Sequence, residues 1–355
     1  MKNPKNPSAI NSPFRYAGGK FYARKLILNH IPAHSCYIEP FAGGGSIFFA
    51  KQKCEHNQLN DIDKELINVY KTIRDNPTEL IEFLTKKDSS ISRIPRSLTK
   101  GVRNGEPLPA SKELHTFFKN KYAPENNLEK AGRWFYLNRT SYSGIMNIQN
   151  MYWGYGDKFS MQPKNWPANI LRTSDKLQGV KLTSLDFKKV IDNAPDGALL
   201  FVDPPYFNAD QDKFYTHSFS REDHFRLEEC LRKNSKRLSI FVTYDNTDEI
   251  RELYSWATEL HDKEWNYCIQ RTDDQKNGLK RKGERYKGKE LFILNYRVCK
   301  LNCVSNENKG IDENIQGNTT RNHTRGLLVG GHGELSEHAN SLCRTSSQSL
   351  RRTVH

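Results

Sequence analysis

The stretch that most constrains this chain is Leu199-Leu200-Phe201-Val202-Asp203-Pro204-Pro205-Tyr206-Phe207. Four apolar residues in succession predict a short strand buried on both faces. Two prolines then end it, because neither can donate to a sheet ladder or continue into a helix. A carboxylate, a stiff proline pair and an aromatic ring are thereby held at the strand's carboxyl end. In open α/β sheets that edge is where ligands bind. An ordinary strand exit carrying an incidental aspartate is the alternative, and this stretch alone does not separate the two.

The chain reaches that stretch through shorter signals. Ser12-Pro13-Phe14-Arg15-Tyr16-Ala17-Gly18-Gly19-Lys20 joins a flexible Gly-Gly turn to a cation, where a helix over Phe21 to His30 is predicted to begin. A lysine so placed suits a carboxylate or phosphate, or is a solvated helix start. Cys36-Tyr37-Ile38-Glu39-Pro40-Phe41-Ala42-Gly43-Gly44-Gly45-Ser46, followed by Ile47-Phe48-Phe49-Ala50, reads as strand, glycine turn and helix. Such a turn lets a ligand approach the backbone at a helix N-terminus. It is no P-loop, because no Lys-Ser/Thr pair follows at the required spacing.

Gln58-Leu59-Asn60-Asp61-Ile62-Asp63 predicts a second strand ending in an acid, at the separation where dinucleotide folds hold ribose hydroxyls. Either Asp61 or Asp63 can cap the helix through Leu66, Ile67, Tyr70 and Ile73, leaving the other for a ligand. Ile62 offers an apolar face to an adenine ring.

From Asn76 the regularity changes. Leu80, Ile81, Phe83 and Leu84 continue a helix, and Lys86 to Ala110 reads as a long polar loop or insertion. Helices follow through Leu114, Phe117, Phe118 and Tyr122 and over Leu128 to Leu137, running into Asn138-Arg139-Thr140-Ser141-Tyr142-Ser143-Gly144-Ile145-Met146-Asn147. Trp134, Phe135, Tyr136, Tyr142, Tyr152, Trp153 and Tyr155 interleave there with amides and Arg139. That mixture suits stacking on bases and hydrogen bonding to base edges, and core packing explains several of the rings equally well. Val180 to Phe187 predicts a strand ending in the pair Asp186-Phe187. Beyond Tyr206 come a helix over Phe219 to Lys233 capped by Ser220, a strand over Leu238 to Tyr244, a helix over Thr247 to Trp256 and a strand over Glu290 to Tyr296. Lys276, Lys280, Arg281, Lys282, Arg285, Lys287 and Lys289 crowd the loop before that last strand, as phosphate contacts or as a solvated hairpin tip.

Composition narrows the partner. The 55 Lys and Arg against 41 Asp and Glu leave a formal charge of +14, which points to a polyanion, nucleic acid before a membrane surface. At 355 residues the chain has room for one large domain or two. No apolar run approaches a membrane span, and Met1 to Asn11 lacks the apolar region of a signal peptide. The seven cysteines are scattered and form no Cys-x-x-Cys pair, as suits free thiols in a reducing cytoplasm. His30, His34 and Cys36 are interrupted by Pro32 and no second ligand pair follows, so no metal is expected.

Taken in order, Tyr16-Ala-Gly-Gly-Lys20, Glu39-Pro-Phe-Ala-Gly-Gly-Gly-Ser46, Asn60-Asp-Ile-Asp63 and Asp203-Pro-Pro-Tyr206 resemble the motifs of the Dam-like DNA adenine-N6 methyltransferases in their alpha arrangement. Phe214 to Phe219 and Gly288 to Tyr296 extend the resemblance, which covers residues 12 to 298. It implies an α/β fold: a Rossmann-like seven-stranded methyltransferase sheet with an inserted, mainly helical target-recognition domain. The catalytic domain would comprise 12–75 and 171–298, the recognition domain 76–170, with a flexible 1–11 and a disordered 299–355 outside the fold.

The resemblance also implies S-adenosylmethionine as cofactor. Tyr16 and Lys20 would hold its methionine end, Lys20 by charge, while Glu39, Phe41, Gly43 and Gly45 line the pocket and Asp203 also contacts the cofactor. Asp61 would bind the ribose hydroxyls and Ile62 the adenine ring, with Asp186 and Phe187 at that ring's edge. The target adenine must leave the duplex to be reached. It would stack on Tyr206, with its amino group hydrogen-bonded to Asp203 and the carbonyl of Pro204 beside Pro205, so that its lone pair is freed from conjugation for in-line transfer. Arg139, Tyr142, Asn147, Lys280, Arg281 and Lys282 would meet the DNA. Members that methylate GATC tend to carry arginine where Asn147 stands; arginine reads guanine and asparagine prefers adenine, so GATC is in doubt, unless Arg139 or Lys158 substitutes. The partners implied are double-stranded DNA and a cognate restriction endonuclease. Three other readings stay open: an RNA or protein-amide acceptor on the same fold, a DNA-binding protein without catalysis, and a nicotinamide-dependent dehydrogenase that would leave Asp-Pro-Pro-Tyr unexplained.

Overall fold

A computed structural model describes residues 9–16, 18–87, 93–156, 160–207, 217, 219–266 and 287–298. The apolar run before Asp203 forms β4 (Leu199–Val202), buried at every position, as is its neighbour β1 (Cys36–Glu39). Strands covered on both faces lose the alternating pattern, which is why both read as continuous apolar runs. Around them lie β2 (His56–Asn60), β3 (Lys181–Thr183), β5 (Ser239–Asp245), β6 (Glu259–Asn266) and β7 (Lys287–Leu294). The seven strands form one mixed sheet in the order β3-β2-β1-β4-β5-β7-β6. Only β7 runs antiparallel to its neighbours, β5 and β6.

Successive side chains of a strand point to opposite faces, and the core divides accordingly. Tyr37, Leu199, Phe201, Phe241 and Phe292 face one layer, whose helices are α1 (Arg24–Leu28), α2 (Ser46–Ala50) and α3 (Lys64–Asp75). Ile38, Leu200, Val202, Val242 and Tyr244 face the other, covered by α8 (Phe187–Asp192), α9 (Arg221–Asn234) and α10 (Asp248–Leu253). Asp63 caps α3, accepting from the amides of Glu65 and Leu66, which leaves Asp61 for another task. Ser220 and Asp223 form a reciprocal capping box at the start of α9.

The expected insertion supplies α4 (Pro77–Phe83), α5 (Lys112–Asn120), α6 (Asn127–Thr140) and α7 (Trp166–Leu177). Their apolar residues, among them Leu80, Leu114, Phe118, Trp134 and Ile170, join the core on the α3 side of the sheet instead of closing a separate one. The boundary placed at residue 170 falls inside α7.

Three elements escaped the sequence reading: α7, α8 and β6. The buried side of α7 includes Asn169, Thr173, Ser174 and Lys176, so polar residues break its apolar period; the Lys176 ammonium donates to the carbonyl of Lys51 at 2.6 Å. β6 is an edge strand with charged residues at half of its positions, and its pairing with β7, not its own composition, makes it a strand. The first helix is shorter than expected, five residues in place of Phe21 to His30. No helix among the described residues is long and apolar enough to cross a membrane.

Candidate active site

Strand order reverses between β1 and β4, so their carboxyl ends open onto a crevice. One face of the sheet changes character as it reaches that crevice. Phe201 is followed two residues on by Asp203, Phe241 by Thr243, and on antiparallel β7 Phe292 is preceded by Glu290. By strand alternation the aromatic core below therefore becomes a polar floor above. Lys20, nearly fully buried, enters it from the N-terminal segment and places its ammonium 2.7 Å from Oδ1 of Asp203. The ammonium also donates to the Gly18 carbonyl at 3.1 Å and lies 4.8 Å from the centre of the Tyr206 ring. Burial works against this cation, but the Asp203 and Glu290 carboxylates outweigh it and hold the Lys20 pKa above the usual lysine range. Lys20 is thus committed to Asp203, and a cofactor carboxylate would have to share it. The chain after Tyr206 is held by the amide of Phe207, which donates to Asp245 at 3.0 Å.

The glycine turn joins β1 to α2. Gly43 and Gly45 have φ of +46° and +62°, the left-handed region that favours glycine. A Cβ on Gly43 would stand 2.9 Å from Cε1 of Tyr16, so Tyr16 covers the turn from above. Two acids shape it from below. Asp61 accepts from the amide of Gly43 at 2.9 Å and from that of Asp63 at 3.0 Å. Burial pushes its pKa up to about 6, although both amides favour the anion. Glu39 accepts from the Tyr37 hydroxyl at 2.7 Å and the Phe48 amide at 2.8 Å, both through Oε1. Burial, assisted by the charge of Asp203, raises it from 4.5 to about 8.

Glu39 therefore makes stability depend on pH. A carboxyl whose native pKa exceeds its unfolded value contributes fully below the unfolded pKa, and that contribution is lost as pH rises through the native one. Wild-type protein is expected to lose on the order of a few kcal/mol between pH 4.5 and 8 from this group. Glu39→Gln keeps an acceptor for Tyr37 and Phe48 while removing the titration. Urea unfolding of both proteins between pH 6.5 and 8.5 should give a shallower decline for the variant; parallel slopes would refute the assignment.

The remaining side of the crevice is apolar. Ile62 is 49% exposed, an unusual position for isoleucine at a strand end. Phe41, Phe187 and Phe219 form a ring cluster with centroids 5.5–5.7 Å apart. Asp186 caps α8 and pairs with Arg226 at 2.9 Å, and Arg226 lies over Phe187. Buried Asn60, which sequence reasoning passed over, ties three strand ends together. Its amide nitrogen donates to the carbonyls of Pro40 and Leu185, and its oxygen accepts from Thr183 and the Leu185 amide.

On the insertion, the structure divides the expected DNA contacts. Tyr142 is half exposed, and Ile148 and Tyr152 stand out beside it, on a loop closed by the bridge between Ser141 and Trp153. Asn147 is half-buried, and its side-chain oxygen accepts from the Gln149 amide at 3.0 Å. Arg139, expected at the surface, is turned inward: it is buried and donates to the Pro13 carbonyl at 3.2 Å. Burial lowers its pKa to about 10. Next to it Asn138, also missed, exchanges hydrogen bonds with the Arg15 backbone and donates to the Gly144 carbonyl, strapping the segment before Lys20 to this loop. Lys158, Lys280, Arg281 and Lys282 lie outside the described residues. No cluster of metal-ligating side chains occurs among the described residues.

A mixed seven-stranded sheet with a glycine turn after β1, an acid after β2 and Asp-Pro-Pro-Tyr after β4 defines an α/β methyltransferase-like fold. The family model for D12 class N6 adenine-specific DNA methyltransferases matches residues 16–269, and the chain belongs to that family. The chain is 29% identical over 304 residues to the type II methyltransferase M1.LlaDCHI of Lactococcus lactis subsp. cremoris, covering 80% of this chain and 95% of that protein. It is 27% identical over 309 residues to the type II methyltransferase M.MjaIII of Methanocaldococcus jannaschii, covering 80% and 99%. With the DNA adenine methylase of Escherichia coli K12 it shares 24% over 255 residues, 70% of this chain and 84% of that one. The protein is a site-specific, adenine-specific DNA methyltransferase, so its substrate is DNA, in place of the RNA, protein-amide, non-catalytic and dehydrogenase alternatives.

The family depends on S-adenosylmethionine, and the residues present suit it. The backbone of the turn lies against the Tyr16 ring at a distance that excludes a Cβ, Asp61 retains lone pairs beyond its two amide bonds, and exposed Ile62 offers an apolar face beside it.

Proposed function

We propose that Asp203 and Pro204 prepare the target amine, Tyr206 stacks the flipped base, and the cradle from Tyr16 to Asp61 holds the cofactor. The observation that carries this reading is the convergence of Lys20, Asp203 and Tyr206 at the crevice where strand order reverses. S-adenosylmethionine, when bound, supplies an electrophilic methyl group on a sulfonium. Asp61 would take the ribose hydroxyls, Ile62 the adenine face, and Asp186 with Phe187 that ring's edge. Tyr16 and Glu39 would border the methionine end, with Phe41 packed alongside.

The exocyclic nitrogen of adenine is a weak nucleophile because its lone pair is delocalised into the ring. An Asp203 oxygen and the Pro204 carbonyl, each accepting one N–H, would draw that lone pair out of conjugation and aim it. Pro205 keeps the carbonyl and the Tyr206 ring in fixed relation, since its φ is locked. Asp203 orients the amine first, and its carboxylate lies ready to take the proton as or after the N–C bond forms. The contribution is positioning and fixed charge, held ready before the base arrives.

Residues 76–170 act in this reading as the target-recognition region, Tyr142 and Asn147 on its exposed loop and Lys280, Arg281 and Lys282 as phosphate contacts. A cytoplasmic role beside a cognate restriction endonuclease suits the type II methyltransferases among the relatives. The direct test is methylation of plasmid DNA with labelled cofactor, followed by modified-base sequencing. N6-methyladenine in one short motif supports the reading; incorporation elsewhere in the base, or none by folded protein, overturns it. The same sequencing checks Asn147. Asn147→Arg should raise the share of guanine at one position of the methylated motif by about tenfold or more, the discrimination a bidentate arginine provides. An unchanged motif would exclude Asn147 as a reader.

A further inference from the structure

We infer that Thr243 is a positioning residue for methyl transfer, one that decides which oxygen of Asp203 meets the target amine. The inference rests on the reading that Asp203 accepts a hydrogen bond from that amine. Val202 pairs with Val242 in parallel register, so Asp203 and Thr243 follow side by side and point to the same face. Thr243 is fully buried, and its hydroxyl donates to Oδ1 of Asp203 at 2.7 Å. Lys20 reaches the same oxygen, also at 2.7 Å.

A carboxylate oxygen has two lone-pair sites, and on Oδ1 both are taken. No described residue bonds Oδ2. The two oxygens are therefore unequal before any substrate arrives, and Oδ2 is the one left to accept an N–H. Lys20 alone would hold the carboxylate less firmly, because buried Glu290 attracts the same ammonium from the neighbouring strand. The threonine hydroxyl is a second tether that does not pass through Lys20. It comes from a β-branched side chain, stiff at χ1 and set beside the Phe241 and Phe292 core, so it is fixed in advance.

A purely structural threonine, one that only satisfies a buried acceptor, would show in stability and binding and not selectively in the chemical step. The test compares Thr243→Val, which keeps shape and removes the donor, with Thr243→Ser, which keeps the donor. Steady-state methylation of plasmid DNA is measured with equilibrium binding of S-adenosylmethionine. Losing one hydrogen bond to a charged group predicts a fall in kcat of about 10- to 100-fold for the valine variant. KM for DNA and Kd for the cofactor should stay within about twofold, and serine should restore most of kcat.

A valine variant with wild-type kcat overturns the inference. So does a kcat loss that serine fails to rescue, or one matched by an equal loss of cofactor affinity. If the valine variant does not fold, Thr243→Ala set against Thr243→Ser makes the same comparison, and equal kcat in the two is fatal. Asp203→Ala, assayed in parallel, separates the two levels. Substantial turnover there removes the Asp203 role itself, whereas an inactive Asp203→Ala beside a fully active Thr243→Val removes only the role of Thr243.

Discussion

Asp203→Ala is expected to lower single-turnover methyl transfer by about three orders of magnitude, the range in which loss of a positioned acceptor and its fixed charge is felt. Asp203 is the group at the end of β4 that receives both Lys20 and Thr243, and it stands one residue before the Pro204 carbonyl and three before the Tyr206 ring that complete the site. Removing it leaves Lys20 buried, but Glu290 still faces that cation, so the fold should survive. Cofactor affinity should change little, because the glycine turn and Asp61 lie across the crevice, just past the ends of β1 and β2. The measurement is transfer of labelled methyl to plasmid DNA at saturating enzyme, with cofactor Kd determined on the same preparation. Turnover within about tenfold of wild type would exclude Asp203 from the chemistry.

What the sequence made legible follows from how local each signal is. The run ending at Asp203 announced a buried strand because two prolines stop it within two residues. Asp61 and Asp63 could be divided between ligand and helix cap because capping has a fixed spacing, and Asp63 does cap α3. Arg139 and Asn138 went astray for the opposite reason. The end of α6 is buried without interruption from Trp134 through Thr140, so the helix presents no polar face by which inside and outside could be told apart. Asn60, Thr243 and Glu290 act through partners more than forty residues away or on other strands, and spacing is silent about those. One trace of them was present in the chain. Phe201-Val-Asp203, Phe241-Val-Thr243 and Glu290-Leu-Phe292 repeat an aromatic and a polar residue two apart. Two apart on a strand means one face, so three strands carrying that pattern at one edge mark a core turning into a site.

Asp61→Ala should weaken S-adenosylmethionine binding by two orders of magnitude or more while sparing kcat at saturating cofactor. Two effects add here. The substitution removes the acceptor proposed for the ribose, and it strips the Gly43 and Asp63 amides of their partner, loosening the turn on which the ligand would rest. Hydrogen bonds to a charged group are worth roughly 1.5–3 kcal/mol each, about ten- to a hundredfold in affinity, so losing more than one accounts for the size. Asp61→Asn tests the charge apart from the shape and should fall between. Wild-type protein should show the same group in its pH dependence. The native pKa lies near 6, and the anion is the better acceptor for hydroxyl donors, so affinity should be level at higher pH and decline as pH falls through 6. Calorimetric titration of cofactor into wild type and Asp61→Asn between pH 5 and 8 checks this. The asparagine variant should bind with a flat profile, and a decline equal to that of wild type would assign the titration to another group, with His217 and Asp63 the charges acting on Asp61 to be substituted next.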